Sequence, residues 1–231
     1  VRVYELSLII DDADRLGATA NEGQFIHPNK LLVLLYYHLV TYRGREGPFV
    51  RHTSTSCLLD PVAAGLGQKC YEVPLGFKWV SAKMSETGAI IGGESSGGMA
   101  VRVHISGKDG IYAAALLVEM LAVTGKSVSE LFAEITGQYG NPRWAEADFR
   151  MTPERKAELQ KLLFIEKKTP EFGAAIDHVS LADGCKVYFA DGSWVICRFS
   201  GTEPLLRMAA EAETKEKAEG YIDTWKRFLS L

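Results

Sequence analysis

Three stretches of this 231-residue sequence combine residue types that could do chemistry. The first is "RFSGTEPLLR", Arg198 to Arg207. Arg198 and Arg207 offer planar forks of donors that match phosphate oxygens. Ser200 and Thr202 add hydroxyl donors, and Gly201 lets a ligand approach a turn whose successive amides make an anion nest. The same residues would also make a surface turn whose arginines pair with Glu203 and Glu211. The second stretch is "GGESSGGM", Gly92 to Met99. It has neither the spacing nor the lysine of a P-loop. It does place Glu94 and Ser96 beside Gly97 on a close-approach backbone. A carboxylate accepts from two neighbouring hydroxyls at once and a serine donates or accepts, which suits a sugar; a plain connector is the alternative. The third is "DDADRLG", where Asp11, Asp12 and Asp14 would suit Mg²⁺, a cation that takes oxygen ligands. An acidic turn neutralised by Arg15 is the simpler reading. Lys78 and Arg51 are lone cations, and Asp109 in "GKDGI" reads as a helix cap. The histidines show no metal-ligand spacing.

The elements that must position these loops follow from periodicity and punctuation. Residues 4–10 read as a strand running into the acidic turn. Pro28 opens a helix that "RGREG" stops near Tyr42. "PFVRHT", "CYEVP" and "AIIGG" read as strands, and Leu58–Leu66 and "FKWVSAKMSE" as helices between them. "GIYAAALLVEMLAVTG" is a helix stopped by Gly125, followed by "SVSELFAEITGQYG" with Ser127 or Ser129 as its N-cap. Strands alternating with helices predict an α/β domain with a mainly parallel sheet, covered by helices on both faces. Ligands of such sheets sit at the C-terminal ends of strands. Past "YGNPRW" the pattern changes. A helix near "TPERKAELQKLLF" precedes "HVSLADG", "CKVYFADG" and "SWVICRF", two of which end in the Asp-Gly hairpin signal. "LLRMAAEA" and a closing amphipathic helix complete a small α+β domain. We place the boundary near residues 140–150.

Composition narrows the function classes. Apolar residues make up 47% and charged residues 24% of the chain, a globular balance. A net charge of −3 gives no basic footprint for nucleic acid. No apolar run has the length of a membrane span, and "LLVLLYYHLV", interrupted by His38, reads as a buried helix. The four cysteines form no C-x-x-C pair and are expected as reduced thiols of a cytoplasmic protein. There is no secretory-signal pattern at the start, and the chain opens without Met inside a strand; we expect a piece of a longer protein. Oligomeric state is not written in the sequence.

Taken in order, "DDADR", "LGFKW", "GESSG", "KDGI" and "RFSGTEPLLR" resemble the α-D-phosphohexomutases, which include phosphoglucomutase and phosphomannomutase. The family has four domains, with a phosphoserine loop, a D-x-D-x-D-R metal loop, a G-E-x-S-G sugar loop and an R-x-S-G-T-E-P-x-x-R phosphate loop. The likeness covers the whole chain but only the C-terminal part of a family member, and it implies the tail of the second domain at residues 1–24, the third α/β/α domain at 25–143 and the fourth α+β domain at 144–231. The resemblance implies that Glu94, Ser96 and Gly97 hold the sugar. It implies that Arg198, Ser200, Gly201 and Thr202 hold the non-reacting phosphate, with Arg207 supporting them. Arg15, Arg51 and Lys78 would lie near the reacting centre. Asp12 and Asp14 would ligate Mg²⁺. The substrate would be a hexose phosphate and glucose 1,6-bisphosphate the intermediate.

Two departures qualify the resemblance. Ile10 stands where the first metal-loop aspartate belongs and cannot ligate; a one-residue shift would put Asp11 there in altered geometry. The family's T-A-S-H-N-P loop is absent, so this chain holds no candidate phosphoserine and is expected to be inactive alone. A non-catalytic sugar-phosphate binding module from a truncated gene is the alternative.

Overall fold

The computed structural model describes residues 6–20, 23–201 and 203–231. The chain divides into two compact units, Val1–Asn141 and Pro142–Leu231. The first unit begins with an antiparallel sheet of β1 (Ser7–Asp11), β2 (Arg15–Ala20) and β3 (Gln24–Ile26). The sequence reading placed only the first of these strands. "RLGATA" pairs with β1 because Leu16 and Ala18 alternate into the core while their neighbours face outward.

Helix α1 (Pro28–Thr41) follows, then β4 (Phe49–His52), α2 (Leu59–Gly65), β5 (Cys70–Val73), α3 (Phe77–Thr87), β6 (Ile91–Gly93), β7 (Met99–Val101), α4 (Gly110–Thr124) and α5 (Val128–Tyr139). The sheet order is β5-β4-β6-β7. β4 runs parallel to β5 and β6, and only β7 is antiparallel to its neighbour. Every residue of β4 is buried, as a strand covered on both faces must be. Phe49 enters the core built with α1, α2, α4 and α5, while Val50 enters a second core under α3 with Val80 and Met84. Asp109 caps α4 by accepting from Tyr112 N–H, and Ser127 caps α5 in a full capping box with Glu130. Gly125 ends α4 in a left-handed conformation that costs a glycine little.

The second unit is a five-stranded antiparallel sheet with helices. Its strands are β8 (Arg143–Arg150), β9 (Ile176–Ser180), β10 (Cys185–Phe189), β11 (Trp194–Phe199) and β12 (Leu205–Ala212), in the order β8-β12-β11-β10-β9. The helices are α6 (Pro153–Gln160), prolonged by one π turn over Lys161–Ile165, and α7 (Lys215–Leu229). Ala218, Tyr221, Ile222, Trp225 and Leu229 of α7 lie one helical stripe apart and are buried against the sheet. Strand β8 escaped the sequence reading because only Ala145 of its eight residues is buried.

The Asp-Gly turn between β10 and β11 is tied to α7. The Asp191 carboxylate accepts from the backbone N–H and hydroxyl of Ser193 and from the Lys217 ammonium. Burial alone would raise its pKa; these donors hold it down at about 2, against an ordinary 3.8. A depressed carboxylate contributes stability above its unfolded pKa and loses it as pH falls through the folded value. Asp191→Asn should therefore lower the urea midpoint at pH 7, and the gap to the native chain should close between about pH 4 and about pH 2. A gap that persists unchanged at pH 2 rules out the carboxylate as its source.

Candidate functional site

In the first unit the acidic hairpin and the Gly/Ser loop meet. Asp11 pairs with Arg15 across the hairpin, Asp14 N–H donates to Asp11 O at 3.1 Å, and Asp12 and Ala13 hold φ of 51° and 61°. A left-handed alanine is a strained residue of the kind found where a turn is fixed for function. Arg15 lies among the three carboxylates: Nη2 is 2.7 Å from Asp11 and 3.3 Å from Asp12, and Nε is 3.6 Å from Asp14 Oδ1. Asp14 Oδ2 is 2.5 Å from Lys108 Nζ.

The loop Glu94–Gly98 closes on itself through Glu94 N–H to Gly98 O at 2.9 Å and Gly97 N–H to Glu94 O at 3.0 Å. It is fastened to the hairpin by Leu16 N–H donating to Gly97 O at 3.0 Å and by a bridge between Arg15 and Gly98. The glycines permit this contact. A Cβ on Gly98 would stand 2.4 Å from the Lys108 stem, and one on Gly110, at the start of α4, 2.8 Å from Arg15 O. Burial pushes the Glu94 carboxyl above its ordinary range; Lys108 opposes this, Asp14 adds to it, and the Ser96 hydroxyl and Arg15 oppose it. Glu94, Ser96, Gly97, Asp14 and Arg15 are thus brought together, and Lys108 joins them. Lys108 was missed because it was taken as part of a helix start. Its place just before the Asp109 cap, where α4 begins against the hairpin, is the signal that could have found it.

Arg51 and Lys78 are placed elsewhere. Arg51 is 5% exposed. Its guanidinium takes Asp60 through Nη2 at 2.9 Å and Nε at 3.2 Å, and Glu72 through Nη1 at 2.5 Å. Burial would lower its pKa, but Cys57, Asp60, Cys70 and Glu72 together raise it well above the ordinary value. Lys78, in the first turn of α3, is exposed with its ammonium 5.0 Å over the Trp79 ring. Among the described contacts neither reaches Glu94.

The donor set does not fit a three-carboxylate Mg²⁺ site. Ile10 is a strand residue paired with Leu16 and carries no ligating atom. Asp11, Asp12 and Asp14 converge on Arg15, and among the described residues no three His, Cys, Asp or Glu side chains gather around one point.

In the second unit, Arg198 on β11 stands directly opposite Arg207 on β12. Both are half-buried. Beyond them Ser200 N–H donates to Leu205 O at 2.8 Å, and Ser200 Oγ accepts from Glu203 N–H at 3.2 Å. Ser200 is 5% exposed. Gly201 is exposed, and a Cβ there would meet nothing within 4 Å. Arg207 is engaged by Glu203 and lies 3.7 Å from Asp148, whereas Glu211 accepts from Trp194 Nε1–H at 3.2 Å. Lys156 of α6, unremarkable in the sequence, brings a third cation: its Nζ is 3.5 Å from Ser200 O. Thr202 lies outside the described residues.

Two family models match this chain: "Phosphoglucomutase/phosphomannomutase, alpha/beta/alpha domain III" over residues 27–139, and the C-terminal domain of the same family over residues 149–225. The chain belongs to the phosphoglucomutase/phosphomannomutase family. It is 36% identical to the phosphoglucomutase/phosphomannomutase of Thermococcus kodakarensis, over 94% of this chain and 45% of that protein. It is 32% identical to a probable phosphoglucosamine mutase of Methanopyrus kandleri, over 92% of this chain and 44% of that protein. The crystal structure of a putative phosphomannomutase from Thermus thermophilus superposes with a TM-score of 0.79 at 26% identity, covering 98% of this chain and 46% of that one. The chain spans about half the length of the curated relatives it matches and corresponds to the C-terminal portion of the phosphoglucomutase/phosphomannomutase family. The resemblance read from the motifs, and the α/β-then-α+β architecture, are borne out.

Proposed function

We propose that this chain is the sugar- and phosphate-binding portion of a phosphohexomutase that moves phosphate between C1 and C6 of a hexose phosphate. A phosphoserine outside this chain would donate to the free end of the sugar, and a hexose bisphosphate such as glucose 1,6-bisphosphate would be the intermediate. Residues 1–24 would be the tail of the family's second domain. The observation that carries this reading is the pairing of Arg198 with Arg207 on adjacent strands. Side chains directly opposite one another project from the same face of a sheet, so the two guanidiniums can fork onto one dianion there, with Glu203 holding Arg207 in place. Ser200, the amides of the turn and the open approach over Gly201 would complete the grip, with Thr202 beside them. Glu94 and Ser96 would accept from and donate to sugar hydroxyls, and Gly97 would keep that loop against the hairpin. Phosphoryl transfer asks chiefly for positioning and charge neutralisation. Mg²⁺ would supply that neutralisation in the family; here Arg15 and Lys108 are the cations beside the acidic hairpin, and no step is assigned to a metal. The four free thiols, two buried and two half-buried, would suit action in the cytoplasm.

A second reading is favoured by one observation, the replacement of a ligating residue by Ile10: a binding module that has left catalysis. Both readings require binding. Calorimetric titration of glucose 1,6-bisphosphate should show a saturable site in the native chain and a ten- to roughly hundredfold weaker one in Arg198→Ala/Ser200→Ala, the size expected for lost charge-assisted hydrogen bonds. Equal affinity in the two forms sinks the phosphate loop. In either reading the chain alone should not convert glucose 1-phosphate to glucose 6-phosphate, and turnover above background would overturn that part. Adding the missing N-terminal portion should restore turnover in the first reading and leave it at background in the second.

A further inference from the structure

His52 closes β4 and is 3% exposed, yet it takes no part in the chemistry above. On one side its Nδ1 faces the turn that follows: Ser54 N at 3.0 Å and the Thr55 hydroxyl at 3.2 Å. On the other, Nε2 lies 3.2 Å from the backbone N of Ser95, whose N–H points at it. Ser95 stands between Glu94 and Ser96. A histidine kept only to fill the core would satisfy both nitrogens from its own turn; this one reaches 43 residues along the chain.

The loop's other bonds define what His52 adds. Glu94 N–H to Gly98 O and Gly97 N–H to Glu94 O close the turn upon itself. Leu16 N–H to Gly97 O fastens its far end to the hairpin. The Ser95 amide fastens its tip to the end of β4, the strand beside β6. The paired strands β6 and β7 already hold the ends of the turn; the bond to His52 fixes its tip, which carries the two side chains that flank Ser95. We propose that His52 is the positioning residue of the sugar loop, fixing Ser95 and through it the direction of Glu94 and Ser96. This rests on the sugar-binding reading of that loop.

A neutral imidazole has one bare nitrogen, and a backbone N–H faces each nitrogen of this ring. When Nδ1 is bare, Ser54 N–H takes it and Ser95 is left facing another N–H. When Thr55 Oγ1 accepts from Nδ1–H, Nε2 is bare and holds Ser95, and Ser54 N–H gives up its acceptor. The proposal takes this second tautomer, in which Thr55, 0% exposed, acts on the loop through the ring.

The test compares His52→Ala, His52→Gln and Thr55→Val with the native chain. The readings are affinity for glucose 6-phosphate, affinity for inorganic phosphate, and hydrogen exchange at the Ser95 amide. His52→Ala and Thr55→Val should weaken glucose 6-phosphate about tenfold, leave inorganic phosphate unchanged and speed Ser95 exchange. His52→Gln, whose amide oxygen can accept from Ser95, should recover most of the loss. Unchanged Ser95 exchange in His52→Ala, a glutamine form no better than the alanine form, or equal loss for both ligands each overturns the proposal. Should His52→Ala not fold, Thr55→Val carries the same three readings. A native chain that binds no glucose 6-phosphate defeats the sugar-binding reading itself, and Ser95 exchange still decides whether His52 holds the loop.

Discussion

Replacing Gly97 with alanine is expected to cost about 3 kcal/mol of stability and to remove hexose-phosphate binding, a sum of left-handed strain and a steric conflict with fixed backbone. Gly97 holds φ of +96°, a conformation that a side chain resists. Its Cβ would stand 2.6 Å from Leu16 O and 3.4 Å from both the C and N of Leu16. Those atoms cannot retreat. Leu16 is 1% exposed, packed in the first unit's main core, and its own N–H donates to Gly97 O. The strain must therefore part the sugar loop from the acidic hairpin, which separates Glu94 from Asp14, Arg15 and Lys108. Gly67 is the control, because its φ is +71° and nothing lies within 4 Å of its missing Cβ. Gly67→Ala should cost only about 1 kcal/mol, the conformational share alone. Urea unfolding of the two variants isolates the steric part, and titration of glucose 6-phosphate reads its effect on the site. Equal costs for Gly97→Ala and Gly67→Ala, with binding intact, would mean that the loop does not depend on the hairpin.

What the sequence disclosed is what local chemistry controls. Helices α4 and α5 were readable because Asp109, Ser127–Glu130 and Gly125 satisfy or end them with residues a few positions away. The hairpins on either side of β10 were readable from Asp-Gly. Strands β3 and β7 were not, since they are three residues long, nor β8, since it is mostly exposed; β2 was not, since Gly17 and two alanines give it little strand propensity. The site divides in the same way. Each motif announced itself because its residues are consecutive. Lys156 and His52 act across 44 and 43 residues, and nothing beside them in sequence marks the contact; Lys108 acts across 94, and its place before the Asp109 cap is the one local sign of it. Arg51 shows the same limit: in "VRHTST" it reads as a lone cation, because the acids that hold it come from α2 and β5.

Arg51→Ala is the second substitution with a large expected effect, about 3 kcal/mol of destabilisation, because it empties the space of a large side chain that is 5% exposed and ends its charge-assisted hydrogen bonds to two partly exposed carboxylates. The geometry sets the scale. One planar group takes Asp60 with two of its nitrogens and Glu72 with a third, and Thr53 Oγ1–H completes the set by donating to the other Glu72 oxygen at 3.0 Å. A lysine could reach one acid as a point charge but cannot reproduce the fork, so Arg51→Lys should recover part of the loss. Arg51→Ala/Asp60→Asn/Glu72→Gln also removes the two unpartnered charges and should recover the part of the loss that they cause, the emptied space remaining. In a unit of this size each kcal/mol moves the melting temperature by roughly 3 °C, so the single variant should melt about 10 °C below the native chain. Binding then separates the two roles open to Arg51. If it serves the buried network alone, the triple variant, once folded, should take up glucose 1,6-bisphosphate as the native chain does. If it also neutralises phosphate at the reacting centre, affinity should fall in Arg51→Lys and the triple variant by more than their stability accounts for. A melting temperature left in place by Arg51→Ala would contradict the ion network and return Arg51 to the list of groups that face the substrate.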